Sequence, residues 1–117
     1  MAQPDRPVVC VVGEGSAHYG ITALWTAVAY KVPVTFLVLR NDEYMILKWF
    51  AAFEQVDGVP GLELPGLDTA AVAAAYGMPA RDVWGREELA GALREAIAAE
   101  DGPRLVQARV ASGMWLE

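Results

Sequence analysis

Val8-Val9-Cys10-Val11-Val12-Gly13-Glu14-Gly15-Ser16 is the stretch that decides the fold. Pro7 to Val12 is short, β-branched and bounded by Pro and Gly, which predicts a buried strand. Gly13-Glu14-Gly15-Ser16 then predicts a turn. Moving outward, Ile21 to Tyr30 is apolar all round and predicts a buried helix. Val34 to Leu39 predicts a second strand, apolar on both faces as a parallel sheet requires, and Asn41-Asp42 ends it. Two such strands joined by a helix define the unit from which an α/β sheet is built.

The remaining sequence extends that unit. Glu43 to Phe53 predicts a helix with an acidic first turn. Gln55 to Asp68 holds Pro60 and Pro65 with three glycines and predicts a loop, with Asp68 as N-cap of a helix from Thr69 to Tyr76 that Gly77 stops. Arg81 to Trp84 predicts a short strand, Arg86 to Glu100 an amphipathic helix, and Leu105 to Val110 a last strand. Alternating strands and helices imply an α/β fold: three layers around an open, mostly parallel sheet. Because a buried strand opens almost at once at residue 7, the sheet is expected to continue outside this sequence.

Composition narrows the function classes. The chain has 117 residues, 55% of them hydrophobic, which suits one domain with a real core. A net charge of −6 argues against a nucleic-acid or anionic-membrane surface. Cys10 is the single cysteine and His18 the single histidine, so neither an internal disulfide nor a multi-Cys zinc site is available. Met1 to Pro7 carries no apolar leader core, and the apolar runs are too short to span a bilayer. A cytoplasmic location is expected. Trp25, Trp49, Trp84 and Trp115 are expected in core or interface positions, and Cys10 as an inert buried thiol. Glu87, Glu88, Arg94 and Glu95 are expected on a solvated helix face, and Asp57 and Glu63 facing solvent.

Ligands of open parallel sheets bind at the carboxyl ends of the strands. Two loops qualify: Gly13-Glu14-Gly15-Ser16-Ala17-His18 and Arg40-Asn41-Asp42-Glu43-Tyr44. If their strands are neighbours, the loops meet. They then offer a carboxylate, an amide oxygen, backbone groups and a helix start, which suits a hard cation with an attached phosphate. Taken singly, Gly-x-Gly after a strand is an ordinary tight turn and Asn41 an ordinary strand-end residue. The dinucleotide fingerprint is excluded because His18 stands where a third Gly is needed. The pair of loops at fixed separation carries the argument.

That pair resembles the motif of the thiamine diphosphate enzymes, Gly-Asp-Gly-Ser followed about two dozen residues later by Asn-Asn. Here it reads Gly13-Glu14-Gly15-Ser16 and Arg40-Asn41. Within those enzymes the benzoylformate decarboxylase group looks most similar. The resemblance runs through Arg6-Pro7-Val8-Val9, Ala23-Leu24-Trp25-Thr26-Ala27, Tyr44, Leu47-Lys48-Trp49-Phe50, the loop from Val59 to Asp68, and Ala75-Tyr76-Gly77.

The resemblance implies the following. Residues 1–117 form the C-terminal portion of a thiamine diphosphate-binding domain. Glu14 and Asn41 ligate Mg2+ by their side chains, and Glu43 by its backbone carbonyl. Gly13, Gly15, Ser16 and Tyr44 meet the diphosphate. Ile46, Leu47 and Phe50 line a substrate pocket. The activity implied is decarboxylation of a 2-oxo acid to an aldehyde, with no turnover by this chain alone, since a pyrimidine-binding domain or subunit supplies the activating glutamate. An acetolactate synthase-like carboligase and a non-catalytic interaction module with a decayed cofactor site are the alternatives. A homodimer is expected, formed through apolar surface left open. Three departures stand out. Glu14 replaces Asp and lengthens a ligand arm; Arg40 replaces the first Asn; Asp42 replaces a residue that is usually Gly. His18 stands where Asn is common and is expected to be a loop hydrogen-bonder.

Overall fold

The computed structural model describes residues 6–113. Four strands, β1 (Val8–Gly13), β2 (Val34–Arg40), β3 (Ala80–Trp84) and β4 (Arg104–Arg109), form one sheet in the order β1-β2-β4-β3. All three pairings are parallel. Helices α1 (Glu14–Tyr19), α2 (Thr22–Ala29), α3 (Met45–Phe53), α4 (Thr69–Ala75) and α5 (Arg86–Ile97) connect them. The expected α/β architecture is present, with helices on both sides of the sheet.

Each sheet face builds its own core, because alternate residues of a strand point opposite ways. On one face Val38 and Leu105 meet Leu24 and Ala27 of α2, Ala70 and Ala73 of α4, and Met78. On the other, Val106, Ala108 and Val83 meet Ala92 and Ala96 of α5, with Leu37, Leu39, Leu89 and Leu93 packed around them. Small alanines on α4 and α5 bring the helix axes close to the strands.

Several expectations need correcting. β1 is not buried. It lies at the sheet edge, with Val8, Val9 and Val11 exposed and Cys10 half-buried. Residue type favours a strand, but burial needs a neighbour on either side. Gly13 to Ser16 is not a turn: Gly13 is the extended N-cap of α1, and Glu14, Gly15 and Ser16 form its first turn. α2 buries only Leu24 and Ala27. α3 begins at Met45, so Glu43 precedes the helix instead of forming an acidic first turn. Its backbone is held instead by the returning loop, as one half of an antiparallel bridge to Glu63. Of the two places expected for the tryptophans, the core is excluded for Trp25, Trp49 and Trp84, which are exposed, and Trp115 is outside the described residues.

Other expectations hold. Asp68 caps α4 by accepting from the Ala71 amide at 3.0 Å, and Gly77 adopts the positive φ that ends it. Glu87, Glu88, Arg94 and Glu95 are exposed on α5. No helix among the described residues is long and apolar enough to cross a membrane.

Candidate functional site

The strand register brings the two loops together. Gly13 pairs with Leu39, so the chain leaves β1 and β2 at the same level of the sheet. Glu14 is buried (2% exposed) and turns its carboxylate toward the second loop. Its Oε1 accepts from the Asn41 amide at 2.9 Å and from the Asp42 amide at 2.7 Å. A buried carboxylate without partners would be costly, and two backbone donors stabilise its charge.

A second set of contacts converges on the same point. The outer atom of the Asn41 side-chain amide lies 2.9 Å from the Glu43 carbonyl oxygen and 3.1 Å from Glu14 Oε1. With its nitrogen inward, the amide donates to both oxygens and closes the cluster. With its oxygen inward, three oxygens meet: a carboxylate, an amide and a backbone carbonyl. Adjacent ligands in a magnesium octahedron with bonds of about 2.1 Å lie about 3.0 Å apart. The spacings are those of the two N–H···O bonds that the nitrogen-inward amide makes, and with the oxygen inward the same spacings would fit that edge. Among the described residues, no three His, Cys, Asp or Glu side chains cluster as metal ligands, so any cation here depends on Asn41 and the Glu43 carbonyl.

The residues flanking this cluster are held in place. Arg40 donates from Nε to Asp42 at 2.8 Å and lies 3.8 Å from Asp68. Two departures from the motif therefore form one ion pair, and the Arg40 charge is turned onto carboxylates. Asp42 has φ +61, a conformation Gly takes freely and Asp tolerates better than most residues. Glu63 bonds the Lys48 ammonium despite being exposed, so solvent alone does not account for it. Lys48 also bonds Glu43 at 2.5 Å. Lys48 first, and then the Gly113 amide, hold the Glu43 carboxyl below its ordinary value.

Around Gly15 the packing is tight. A Cβ there would overlap the Tyr44 ring and lie 3.0 Å from Leu64 Cδ1. Gly15 is thus required for space; its backbone is helical. Tyr44 bonds Tyr19, which raises its phenol above the ordinary value of 10.0. Ser16 is exposed on α1. His18 is a hydrogen-bonder as expected, but from a helix: Nε2 lies 3.3 Å from Thr69 Oγ1. Ile46, Leu47 and Phe50 share α3 and are all exposed, so they form an open apolar stripe. A cleft of about 520 Å³ between Pro7, Val8, Pro33, Thr35 and Ile97 lies at the amino ends of β1 and β2, away from these loops.

Sequence reasoning missed Lys48, five residues past Glu43 and separated from it by the start of α3, and no local pattern marked it. It also missed Gln107, fully buried, whose signal was a lone amide in an apolar strand. Gln107 Oε1 accepts from the Thr69 and Ala70 amides at 3.0 and 3.3 Å, and Nε2 donates to Asp68 at 3.2 Å.

A parallel sheet whose first two loops meet over a buried acid and an asparagine is the diphosphate-binding architecture of thiamine enzymes. Residues 1–108 match the family of thiamine pyrophosphate enzymes, C-terminal TPP-binding domain, and the chain belongs to it. It is similar to benzoylformate decarboxylase of Pseudomonas aeruginosa, with 50% identity over 107 residues, 92% of this chain and 20% of that protein. An acetolactate synthase large subunit of Parasynechococcus marenigrum is 28% identical over 97% of this chain and 18% of its own length. Among solved structures, a thiamine diphosphate-dependent 4-hydroxybenzoylformate decarboxylase of Rhodococcus jostii superposes with TM-score 0.90 at 40% identity, covering 95% of this chain and 21% of that one. Benzoylformate decarboxylase from Polynucleobacter necessarius gives 0.88 at 39%, covering 94% and 20%. The chain is a TPP-binding C-terminal domain of the kind found in benzoylformate decarboxylases, and it spans about a fifth of the length of these relatives.

Proposed function

We propose that residues 1–117 are the Mg2+- and diphosphate-holding portion of a cytoplasmic 2-oxo acid decarboxylase of the benzoylformate type. Glu14, Asn41 and the Glu43 carbonyl hold the cation. Gly13, Gly15, Ser16 and Tyr44 border the diphosphate. The observation that carries this reading is the convergence of the Asn41 amide, the Glu14 carboxylate and the Glu43 carbonyl at spacings of 2.9 and 3.1 Å. Thiamine diphosphate, when bound, supplies the electron sink that decarboxylation needs. The protein's own part is to anchor the diphosphate end and to offer the Ile46, Leu47 and Phe50 stripe to the apolar part of a substrate. Turnover needs a pyrimidine-binding domain or subunit. The exposed apolar residues of β1 and α3 support assembly as a homodimer.

One observation favours the non-catalytic alternative. Glu14 Oε1 already accepts two amides, and the Tyr44 ring fills the space beside Gly15. Titrating Mg2+ and thiamine diphosphate while following Trp fluorescence and melting temperature separates the two readings. Trp49 lies on α3 beside the site and serves as the probe. Binding at millimolar cofactor or below, lost in Asn41→Ala, is the expected result. No response with or without a pyrimidine-domain partner would leave the interaction module standing. Of the two enzyme readings, the decarboxylase predicts that Phe50→Ala alters discrimination among aromatic 2-oxo acids. A carboligase predicts preference for a small 2-oxo acid.

A further inference from the structure

Glu43 and Glu63 face one another as partners of an antiparallel bridge. Like charges placed directly opposite in such a pair repel. The backbone around them is nevertheless well tied: the Tyr44 amide donates to Leu62 O and the Leu64 amide to Asp42 O, both at 2.8 Å. Lys48 resolves the conflict. Its ammonium sits between the two carboxylates and bonds both. The other oxygen of Glu43 accepts from the Gly113 amide at 2.9 Å. The Glu43 carboxylate is therefore fully engaged, and its peptide, which presents the third converging oxygen, is fixed from its side chain.

We infer that Lys48 is a positioning residue for the metal site: it clamps Glu43 to the 61–64 loop and so sets the Glu43 carbonyl at octahedral spacing from Asn41. The inference rests on the cation reading of Glu14, Asn41 and Glu43. It reverses what charge alone predicts. Removing a cation near two carboxylates should strengthen attraction for a divalent ion, whereas losing the clamp should weaken binding because the carbonyl is no longer held.

The test compares the full chain with Lys48→Met, Lys48→Arg and the double variant Lys48→Met/Glu63→Gln. Amide hydrogen exchange without metal reads the clamp directly. Lys48→Met should speed exchange at the Tyr44 and Leu64 amides about 10-fold or more. The arginine and double variants should restore most of the protection, the latter because it removes the repulsion. Mn2+ binding with saturating thiamine diphosphate, followed by electron paramagnetic resonance, reads the consequence. Apparent Kd should rise on the order of 10-fold in Lys48→Met, the lower range for groups that orient metal ligands. Unchanged exchange overturns the inference, and so does Mn2+ binding in Lys48→Met that equals or exceeds that of the wild type. If the wild type itself takes no Mn2+, the cation reading fails, and the exchange result alone decides whether the clamp exists.

Discussion

One row of residues crosses the sheet from its open side to its closed one: Val11, Leu37 and Val106 stand side by side on the face that α5 covers. Val106 is 2% exposed, Leu37 half-buried and Val11 59% exposed. The residue types are equivalent, so the gradient comes from coverage alone. α5 packs on β3, β4 and part of β2 and stops there. On the opposite face the divide is weaker, because α2 and α4 reach Val12 as well as Leu105 and leave Val8 exposed at the start of β1. The same sheet is thus a finished core at β4 and an uncovered edge at β1. The candidate site lies on the unfinished side, at the ends of β1 and β2.

The sharpest way to break this comparison is to charge both ends of the row. Val106→Asp buries an unpaired carboxylate and should cost more than about 4 kcal/mol, enough to unfold the domain in a thermal melt. Val11→Asp should change stability by no more than about 0.5 kcal/mol. It should instead dissociate the proposed homodimer in light scattering. If Val11→Asp unfolds the chain as Val106→Asp does, the two ends are not different. On the site side, Gly15→Ala forces a methyl into the Tyr44 ring and should cost about 1–3 kcal/mol by urea denaturation, with Tyr44→Ala recovering much of it. On the finished side, Asp68→Ala should cost about 1 kcal/mol through loss of the α4 cap.

The smallest effect concerns pH. Asp82 lies on β3 and is held below its ordinary value of 3.8, chiefly by Arg109 of β4. A depressed folded value means that its contribution is complete above the unfolded value and is lost as pH falls through the folded one. Asp82→Asn should therefore be slightly less stable than wild type near neutral pH. The difference should close below about pH 4 in acid titrations followed by circular dichroism.

The sequence made the sheet legible because each strand carries its own signature. Val34 to Leu39 is apolar on both faces whatever surrounds it. The meeting of Glu14 with Asn41 was legible as well, since parallel neighbours place equivalent loops at one edge. Burial was not legible where it depends on distant elements. Val8 to Val12 looks like a core strand, and only the sheet order reveals an edge. Trp25 and Trp84 look like core anchors, yet α2 and β3 present them outward. α1 was hidden because Gly13 and Gly15 suggest a turn, whereas Gly15 answers to the bulk of Tyr44, 29 positions later. The roles of Lys48 and Glu63 depend on a loop returning to residues 42–44, and no local pattern encodes that return.

Gln107 gives the domain a joint in which only one of three bonds, that to Asp68, depends on a carboxylate. Its side-chain oxygen receives two amides from the first turn of α4, and neither donor nor acceptor titrates. The Arg109–Asp82 and Lys48–Glu43 pairs depend on carboxylates and lapse once these are protonated. On acidification the rim and the 40–48 segment should therefore relax before α4 leaves β4, an order that amide exchange across the acid range would read.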